Sequence, residues 1–413
     1  MEQPRIAFVS LHTSPTAVPG TGDAGGMNVV ELHQARELVG LGFQVELITR
    51  RSDPDLDEVT ELAPGLTLRQ VTAGPTEIVA KSAQEALIPV FSQRLAALAP
   101  RPDGRAPYDL VHSQHWMSGV AALPVAQQWG VPHVQSYHSI AAQKVGLPLS
   151  EGEPPESPGR VEGEALAAQQ SDLLVAVSDA ERSTIIERCG APADRVAVVL
   201  PGVDSEVFRP LRSGESPWGE SVAPDGIQPY LVFAARLQPL KAPDVVVKAL
   251  AAMPVEQRPR LVLAGDGSPD FPRYAQTLRD LVAEHGLAEH VVFVGSLARE
   301  ELAELLRGAA AAVVPSYSET FGLIALEAAA SGVPVVATRG SGGLEESVRD
   351  QITGRLVDSH DPEAWAAVLG ELLGDEDTRS RLGRQAREFA TQLTWRRSAE
   401  RLAVLYRDLL EVS

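Results

Sequence analysis

Two glutamates in the second half of the chain stand where carboxylates can hold the hydroxyl groups of a ligand. Glu319 falls in a loop after a predicted strand that ends at Val314, and Glu327 lies in the second turn of a helix that begins near Gly322. The surrounding sequence is small and apolar, and a buried carboxylate is costly unless it accepts hydrogen bonds. The pattern predicts a sugar as the partner of Glu319 and ribose hydroxyls as the partner of Glu327. Helix capping by Glu319 and an internal ion pair of Glu327 are the alternatives.

Two cations precede these glutamates in the sequence. Arg236 and Lys241 stand on the loop that follows the predicted strand Tyr230–Ala234. Fixed positive charge at such a place stabilises the negative charge on a departing phosphate, and it does so without a metal ion. Surface solvation explains the two cations equally well when they are considered alone. Gly265 follows another predicted strand, which indicates a close approach of the backbone to a ligand.

A long loop that contains glycines follows the first predicted strand. It runs from Ser10 to Asn28 and places Gly25 and Gly26 at the start of a helix. Glycines there let backbone N–H groups approach an anion at the positive end of the helix. A plain tight turn accounts for two glycines equally well. The spacing differs from GxGxxG directly after a strand, which argues against a dinucleotide-dependent oxidoreductase.

Three basic side chains in the first half are candidates for contact with a second substrate. His138 follows the predicted strand His133–Tyr137, at the end where ligands bind in parallel sheets. An isolated histidine more often has a structural role. Lys81 and Lys144 can bind an anionic substrate, although solvation is the stronger alternative for each.

The elements that must position these groups follow the same pattern twice. Short apolar runs indicate buried parallel strands, and segments with helical periodicity separate them. The first set is Arg5–Ser10, Gln44–Thr49, Asp109–Ser113, His133–Tyr137, Leu173–Val177 and Val196–Leu200, and the second is Tyr230–Ala234, Arg260–Ala264, Val291–Val294, Ala311–Val314 and Val333–Ala337. The repetition predicts an α/β protein with two doubly wound, Rossmann-like domains that face each other across a cleft.

The predicted organisation has four parts. Residues 1–208 form a first domain, and residues 209–229 are a linker because they are dense in Pro, Gly and Ser. Residues 230–393 form a second domain. Residues 394–413 contain an amphipathic helix that must pack against one of the two.

Composition limits the partners and the compartment. A chain of 413 residues exceeds what one core usually serves, and its net charge of −19 repels nucleic acid as a general partner. The single cysteine, Cys189, excludes an internal disulfide and offers no metal cluster. No run approaches the roughly 18 apolar residues of a membrane helix, and no secretory signal is visible. We therefore expect a cytoplasmic protein without a membrane span.

Taken together, these features resemble glycosyltransferase family four, a retaining group with the GT-B fold. The resemblance rests on the loop GDAGGMN, on the sequence PGVD at positions 201–204, on Arg236 with Lys241, and on Glu319 with Glu327. It implies transfer of a sugar from a nucleoside diphosphate donor, with UDP-GlcNAc favoured, to a small polar acceptor. It also implies that the first domain binds the acceptor, that the second binds the donor, and that the final helix crosses back onto the first domain.

The resemblance implies roles for individual residues as well. The catalytic residues would be His138, Glu319, Arg236 and Lys241. The donor would contact Gly25, Gly26, Arg236, Lys241, Gly265, Glu319, Phe321, Gly322, Leu323 and Glu327. The acceptor would contact His12, Asp23, Asn28, Lys81, His115, Ser139 and Arg160. No metal site and no required cofactor are implied, with Mg²⁺ and a homodimer left open.

Within this family, the segments SLHTSP, AGPTEIVAK and HSQHWMSG are similar to actinobacterial enzymes that glycosylate inositol phosphate. Three departures fall on the acceptor pocket: His115 replaces a tyrosine, Ser139 replaces a threonine, and a pair of arginines is reduced to Arg160 and Val161. Loss of one guanidinium removes a bidentate phosphate clamp. These departures argue against inositol phosphate as the acceptor.

Two other functions stay open at this point. A nucleotide-sugar epimerase also uses paired sheets that face a cleft. A non-catalytic protein that binds nucleotide sugars would keep the fold without the chemistry, although the presence of both Glu319 and Lys241 argues against it.

Overall fold

Two sheets, one in each half of the chain, organise the protein. The computed structural model describes residues 3–20, 24–141, 157–215, 229–267 and 271–412. Helices pack on both faces of each sheet, and the apolar runs of the sequence form buried strands between them. Within the described ranges, no helix is both long enough and apolar enough to cross a membrane.

The first sheet has eight strands in the order β3-β4-β2-β1-β5-β6-β7-β8, and every neighbouring pair is parallel except β3 with β4. The strands are β1 Arg5–Ser10, β2 Gln44–Arg50, β3 Val59–Ala63, β4 Leu66–Val71, β5 Leu110–Gln114, β6 His133–Ser136, β7 Leu173–Ala176 and β8 Val196–Val198. The helices are α1 Gly26–Val39, α2 Lys81–Gln84, α3 Ile88–Ala96, α4 Trp116–Trp129, α5 Pro158–Gln170 and α6 Asp179–Cys189.

The second sheet has six parallel strands in the order β11-β10-β9-β12-β13-β14. The strands are β9 Tyr230–Ala234, β10 Arg260–Ala264, β11 Val291–Gly295, β12 Ala311–Val314, β13 Val335–Thr338 and β14 Gly354–Val357. The helices are α7 Pro243–Ala252, α8 Tyr274–Glu284, α9 Arg299–Arg307, α10 Leu323–Ala330, α11 Leu344–Ser347, α12 Pro362–Gly374 and α13 Glu376–Ala390.

The strand order fixes where a ligand can bind. The direction of winding reverses between β1 and β5 in the first sheet and between β9 and β12 in the second. In doubly wound sheets the crevice outside the carboxyl ends of the strands, at such a switch point, is the binding site. The loops after these four strands carry His12, His115, Arg236 and Glu319, so the topology brings the candidate residues to one cleft.

The last helix, α14 Trp395–Val412, packs on the first sheet, as predicted. Its residues Ala399, Leu402 and Tyr406 are buried in the same core as Ile6 and Phe8 of β1. The Tyr406 hydroxyl also lies 2.5 Å from Nδ1 of His112, a buried residue of β5. The chain therefore starts and ends in the same unit, which confirms two Rossmann-like units with a helix that crosses back.

The observed strands agree with the predicted ones to within two residues, but three were missed. Strands β3, β4 and β14 have no counterpart among the predicted strands, and β3 is largely exposed and antiparallel. A strand that is not covered on both faces lacks the continuous apolar run on which the prediction relied. The exact limits of the domains and the linker remain predictions.

Candidate active site

The C-terminal wall of the cleft is built around a paired carboxylate and ammonium. Lys241 ends a short 3₁₀ turn after β9, and its Nζ lies 2.5 Å from Oε1 of Glu319 in the loop after β12. Ser316 Oγ donates to the same oxygen at 2.8 Å. The Tyr317 N–H donates to the Leu240 carbonyl at 2.9 Å and joins the two loops. Glu319 is therefore held in place at the wall of the cleft.

Glu327 is held by a different cation on the same wall. It is 6 % exposed on α10, and its Oε1 lies 2.9 Å from Nη1 of Arg299 at the start of α9. Burial raises the pKa of Glu327, and Arg299 opposes that rise. The guanidinium also lies 5.0 Å from the ring centre of Phe208. The internal ion pair considered from the sequence is thus present, with a partner 28 residues away that the sequence reasoning missed.

Two glycines on this wall are required by the close approach of neighbouring atoms. Gly265 has φ 141°, and a Cβ there would lie 2.0 Å from the Ala235 carbonyl oxygen. Gly322 has φ 86° and precedes α10, where a Cβ would lie 2.4 Å from Leu344. Side chains rarely adopt such backbone conformations. The first N–H groups of α10 are thereby left open to the cleft, which favours an anion there.

A second helix begins opposite α10. Helix α1 begins at Gly26, where a Cβ would lie 3.2 Å from Cδ1 of Leu323. The N–H of Gly25 donates to the Asn28 side chain at 2.9 Å, and the Asn28 amide donates to the Ser14 carbonyl at 2.8 Å. Asn28 thus uses its polar atoms to hold the preceding loop. Because both helices present their positive ends, the region of the cleft between them favours negative charge.

The N-terminal wall carries histidines that are neutral. The rings of His12 and His115 lie 4.2 Å apart; His115 is buried and His12 is partly buried. Burial lowers the pKa of each well below its usual value, and the positive charge of Lys81 lowers it further. Within the described chain, both ring nitrogens of His115 and Nδ1 of His12 have no hydrogen-bond partner. They are available to a ligand that has hydroxyl groups.

His138 occupies the middle of the cleft in an unusual backbone conformation with φ 58°. Its Nε2 lies 2.6 Å from Oε1 of Gln114, and its carbonyl accepts a hydrogen bond from Thr320 Oγ1 at 3.0 Å. Burial lowers the pKa of His138 to about 4. With Gln114 as acceptor, the proton sits on Nε2 and Nδ1 keeps its lone pair. Sequence reasoning missed Gln114 and Thr320, because both act through distant contacts.

Arg160 lies behind the N-terminal wall. Its Nη2 donates to the Ser139 carbonyl and hydroxyl, each at 3.0 Å, and its Nε donates to Glu164 at 2.9 Å. Val161, the next residue on α5, is 46 % exposed and does not line the cleft. A second arginine at that position would start from the solvent face. The sequence argument against a phosphate therefore loses its structural support.

Two adjoining cavities collect most of the predicted site residues. The cavity on the N-terminal side measures about 200 Å³ and is lined by His12, Asn28, Lys81, His115, His138 and Ser139 together with Phe321. The other is lined by Gly265 and Glu327. The two share Gly25, Gly26, Arg236, Lys241, Glu319, Gly322 and Leu323. Of the remaining candidates, Asp23 and Lys144 lie outside the described residues.

Charge in the cleft is distributed unevenly. Among the described residues that line the two cavities, the carboxylates are Glu319 and Glu327, both from the second half of the chain. The described ranges contain no group of three His, Cys, Asp or Glu side chains that could hold a metal ion. Positive charge at the shared region comes instead from Arg236, Lys241 and the two helix starts. The arrangement suits a ligand with a diphosphate at the centre and hydroxyl groups on either side.

Comparison with known proteins agrees with this geometry. Residues 218–389 match the model of the family "glycosyl transferases group 1", and residues 25–202 match a glycosyl transferase 4-like domain. The chain is 42 % identical to a D-inositol 3-phosphate glycosyltransferase of Thermobispora bispora, over 98 % of this chain and 95 % of that one. It is 40 % identical to the enzyme of that name from Streptomyces coelicolor, over 97 % and 91 % of the two chains.

Two solved structures resemble the fold closely. A sucrose-phosphate synthase from Thermosynechococcus elongatus superimposes with a TM-score of 0.89 at 28 % identity, with all of both chains covered. The Anabaena protein HepE, in complex with UDP and glucose, superimposes with a TM-score of 0.78 at 18 % identity, over 98 % of this chain and all of that one. The second likeness concerns the fold alone.

Proposed function

Because this chain belongs to the GT-B glycosyltransferase family that includes the actinobacterial D-inositol 3-phosphate glycosyltransferases, we propose that it transfers a hexose from a UDP-sugar to an inositol phosphate. The sugar is GlcNAc in the form of the proposal that we favour, and the anomeric configuration is retained. No metal is required, because protein cations meet the diphosphate. Residues of the C-terminal half bind the donor and those of the N-terminal half bind the acceptor.

One observation carries the donor side of the proposal. Arg236 and Lys241 line the region shared by the two cavities, where α1 and α10 both begin. Four sources of positive charge are thus directed at one place, where a departing diphosphate develops negative charge. Glu319 lines the same region, where its carboxylate would meet the sugar hydroxyls. Glu327 lies at the far end of the donor cavity, where the ribose would be.

The acceptor side rests on the N-terminal wall and on the relatives. Lys81 lies close enough to lower the pKa of both His12 and His115, so the field in that cavity is positive. The neutral rings bind hydroxyl groups without adding charge of their own. Relatives at about 42 % identity are named for action on D-inositol 3-phosphate. A cyclic polyol with one phosphate fits both the hydroxyl-binding rings and the positive field.

The proposed retention would proceed without a covalent intermediate. Such an intermediate needs a carboxylate nucleophile. Among the described residues that line the N-terminal cavity, the carboxylate is Glu319, which is paired with Lys241. We propose attack from the face that the leaving group occupies. The acceptor oxygen bonds to the anomeric carbon, the bond to the diphosphate breaks, and the proton passes to the departing phosphate oxygen.

A donor-by-acceptor screen scored by mass spectrometry tests the proposal. UDP-GlcNAc, UDP-glucose and GDP-mannose are each paired with inositol phosphate, free inositol, sugar phosphates and a thiol-histidine such as ergothioneine. We expect one product, from UDP-GlcNAc and inositol phosphate, and NMR of its anomeric proton should show the donor's configuration. A product from free inositol but not from its phosphate would refute the acceptor assignment.

Two measurements test the two remaining functions: incubation with the donor alone, and release of UDP in the screen with acceptors. An epimerase would convert UDP-GlcNAc without an acceptor, and a non-catalytic binding protein would release no UDP with any acceptor. Either result would refute the transferase proposal for this pair of substrates.

A further inference from the structure

Three of the polar contacts between described residues of the two halves lie at the cleft. Thr320 Oγ1 donates to the His138 carbonyl at 3.0 Å, and Ser296 Oγ donates to the Gly20 carbonyl at 2.7 Å. The third contact is made by Glu346 of α11. Its two carboxylate oxygens accept hydrogen bonds from the backbone N–H groups of Asp179 and Ala180, each at 3.0 Å. Of these three, only Glu346 brings a charge across the cleft.

The start of α6 is incomplete without that carboxylate. Ser178 caps the helix by accepting a hydrogen bond from the Glu181 N–H at 3.0 Å. The first N–H groups of a helix have no partner within the helix, so those of Asp179 and Ala180 must be satisfied from outside. Glu346 supplies acceptors to both, and its negative charge meets the positive end of the helix. The first half of the protein thus has a helix whose first turn is completed by a carboxylate from the second half.

Helix α6 is connected to the reacting centre through Glu181. This residue is fully buried, and its carboxylate accepts the Val177 N–H at 2.7 Å. Burial raises the pKa of Glu181 to about 7, and the hydrogen bond from the Val177 N–H opposes that rise. Val177 lines the N-terminal cavity. A shift of the first turn of α6 would therefore move the backbone of the N-terminal wall at Val177.

Glu346 is connected to the other wall through its own helix. Helix α11 follows directly after Gly343, whose N–H donates to the Glu319 carbonyl at 2.9 Å. The Glu319 N–H donates in turn to the Ser341 carbonyl at 2.7 Å. The position of α11 and that of Glu319 are therefore fixed to each other.

We propose that Glu346 is a positioning residue, which docks on α6 when the cleft closes and thereby sets Glu319 and Thr320 against His138. The inference rests on the proposed UDP-sugar donor. When Glu346 does not dock, the donor still binds to the second half, but the cleft closes incompletely. Water then competes with the acceptor for the anomeric carbon. Glu346 is thus expected to control the choice between transfer and hydrolysis more than donor affinity.

The test compares Glu346→Ala and Glu346→Gln with a matched control. Asp375 caps α13 by accepting the Thr378 N–H at 2.9 Å, entirely within the second half, so Asp375→Ala removes a carboxylate cap that does not cross the cleft. We expect kcat to fall about tenfold in Glu346→Ala, which corresponds to about 1.4 kcal/mol. The donor KM should change less than twofold, and the share of UDP released by hydrolysis should rise severalfold. The kcat of Glu346→Gln should lie between those of wild type and Glu346→Ala, while Asp375→Ala should keep the wild-type kcat.

Wild-type kcat and a wild-type ratio of transfer to hydrolysis in folded Glu346→Ala would overturn the inference. A fall in kcat as large in Asp375→Ala would also overturn the inference, because it would show that removal of a helix cap lowers kcat through stability. Small-angle scattering with and without UDP separates this inference from the proposed function. Wild type should become more compact when UDP binds. The compaction of Glu346→Ala should be smaller than that of wild type, whichever acceptor is used. Equal compaction of both proteins would also count against Glu346.

Discussion

The two walls of the cleft handle charge in opposite ways. On the C-terminal wall, Lys241 is paired with Glu319 and Arg299 with Glu327, so each carboxylate lies beside its own cation. On the N-terminal wall, burial leaves His12, His115 and His138 uncharged. The difference corresponds to two tasks. A diphosphate needs fixed charge, whereas the hydroxyl groups of a polyol need hydrogen-bond partners that do not compete for the diphosphate.

The largest effect should come from removing charge on the C-terminal wall. We expect the double variant Arg236→Ala, Lys241→Ala to lower kcat/KM by about 10⁴-fold, since each lost electrostatic contact typically costs about 10²–10³-fold. Steady-state kinetics with a fixed acceptor measures this. Lys248→Ala is the control, because Lys248 pairs with Asp244 and lines neither cavity. Full activity of the double variant would remove the basis for the contrast between the walls.

A smaller effect, confined to the acceptor, should come from the N-terminal wall. His115→Phe keeps a ring beside His12 but removes both unpartnered nitrogens. We expect the acceptor KM to rise roughly tenfold, the cost of about one lost hydrogen bond. The donor KM serves as the internal control and should stay unchanged. An equal rise in both values would mean that the two walls do not divide the substrates.

Arg299→Met tests whether the C-terminal wall depends on paired charge. Burial raises the pKa of Glu327 and Arg299 lowers it, so the variant should protonate Glu327 at a higher pH than wild type does. A protonated carboxyl accepts fewer hydrogen bonds, and the donor KM of the variant should therefore rise as pH falls. A shift of one pKa unit in Glu327 corresponds to a change of about tenfold in the donor KM at low pH. Parallel pH profiles from pH 8 to pH 6 would contradict the assignment.

The smallest effect concerns a carboxyl behind the N-terminal wall. Burial raises the pKa of Glu31 on α1 to about 8, and its oxygens have no hydrogen-bond partner among the described residues. A group with a raised pKa stabilises the fold below its unfolded value of about 4.5 and loses that contribution as pH rises through about 8. Thermal unfolding should therefore show Glu31→Gln gaining on wild type between pH 5 and pH 9, by up to about 4 kcal/mol.

Stability of Glu31→Gln that follows wild type at every pH would show that Glu31 is already ionised. The N-terminal wall would then contain a buried charge, and the contrast between the two walls would be weaker than described.

Much of the fold was predictable from sequence because buried parallel strands carry long apolar runs. Strand β9, for example, was predicted with its observed limits, Tyr230–Ala234. The exposed strand β3 was not predicted, because its sequence, VTELA, contains no continuous apolar run. The residues of the site were predictable where they follow a strand end, as Arg236 and Glu319 do.

Residues that act on other residues were not predictable in the same way. Arg299 and Glu346 stand in ordinary polar segments, and Gln114 ends the buried strand β5; the partners of Arg299, Gln114 and Glu346 lie 28, 24 and 167 residues away. Local spacing contains no signal for such contacts. Val161 shows the opposite error. It was assigned to the acceptor pocket because it follows Arg160 in sequence, but on α5 it faces solvent. Adjacent residues on a helix point about 100° apart, so neighbours in sequence rarely share a ligand.

The return of α14 to the first sheet has a consequence for biosynthesis. Tyr406 fills the core beneath β1 and β5, yet it is made only after all strands of the second sheet. During translation, the first unit must therefore keep an apolar face uncovered while the second unit is made. We expect nascent chains that stop before residue 395 to need chaperones, and removal of α14 to lower the yield of the first unit more than that of the second.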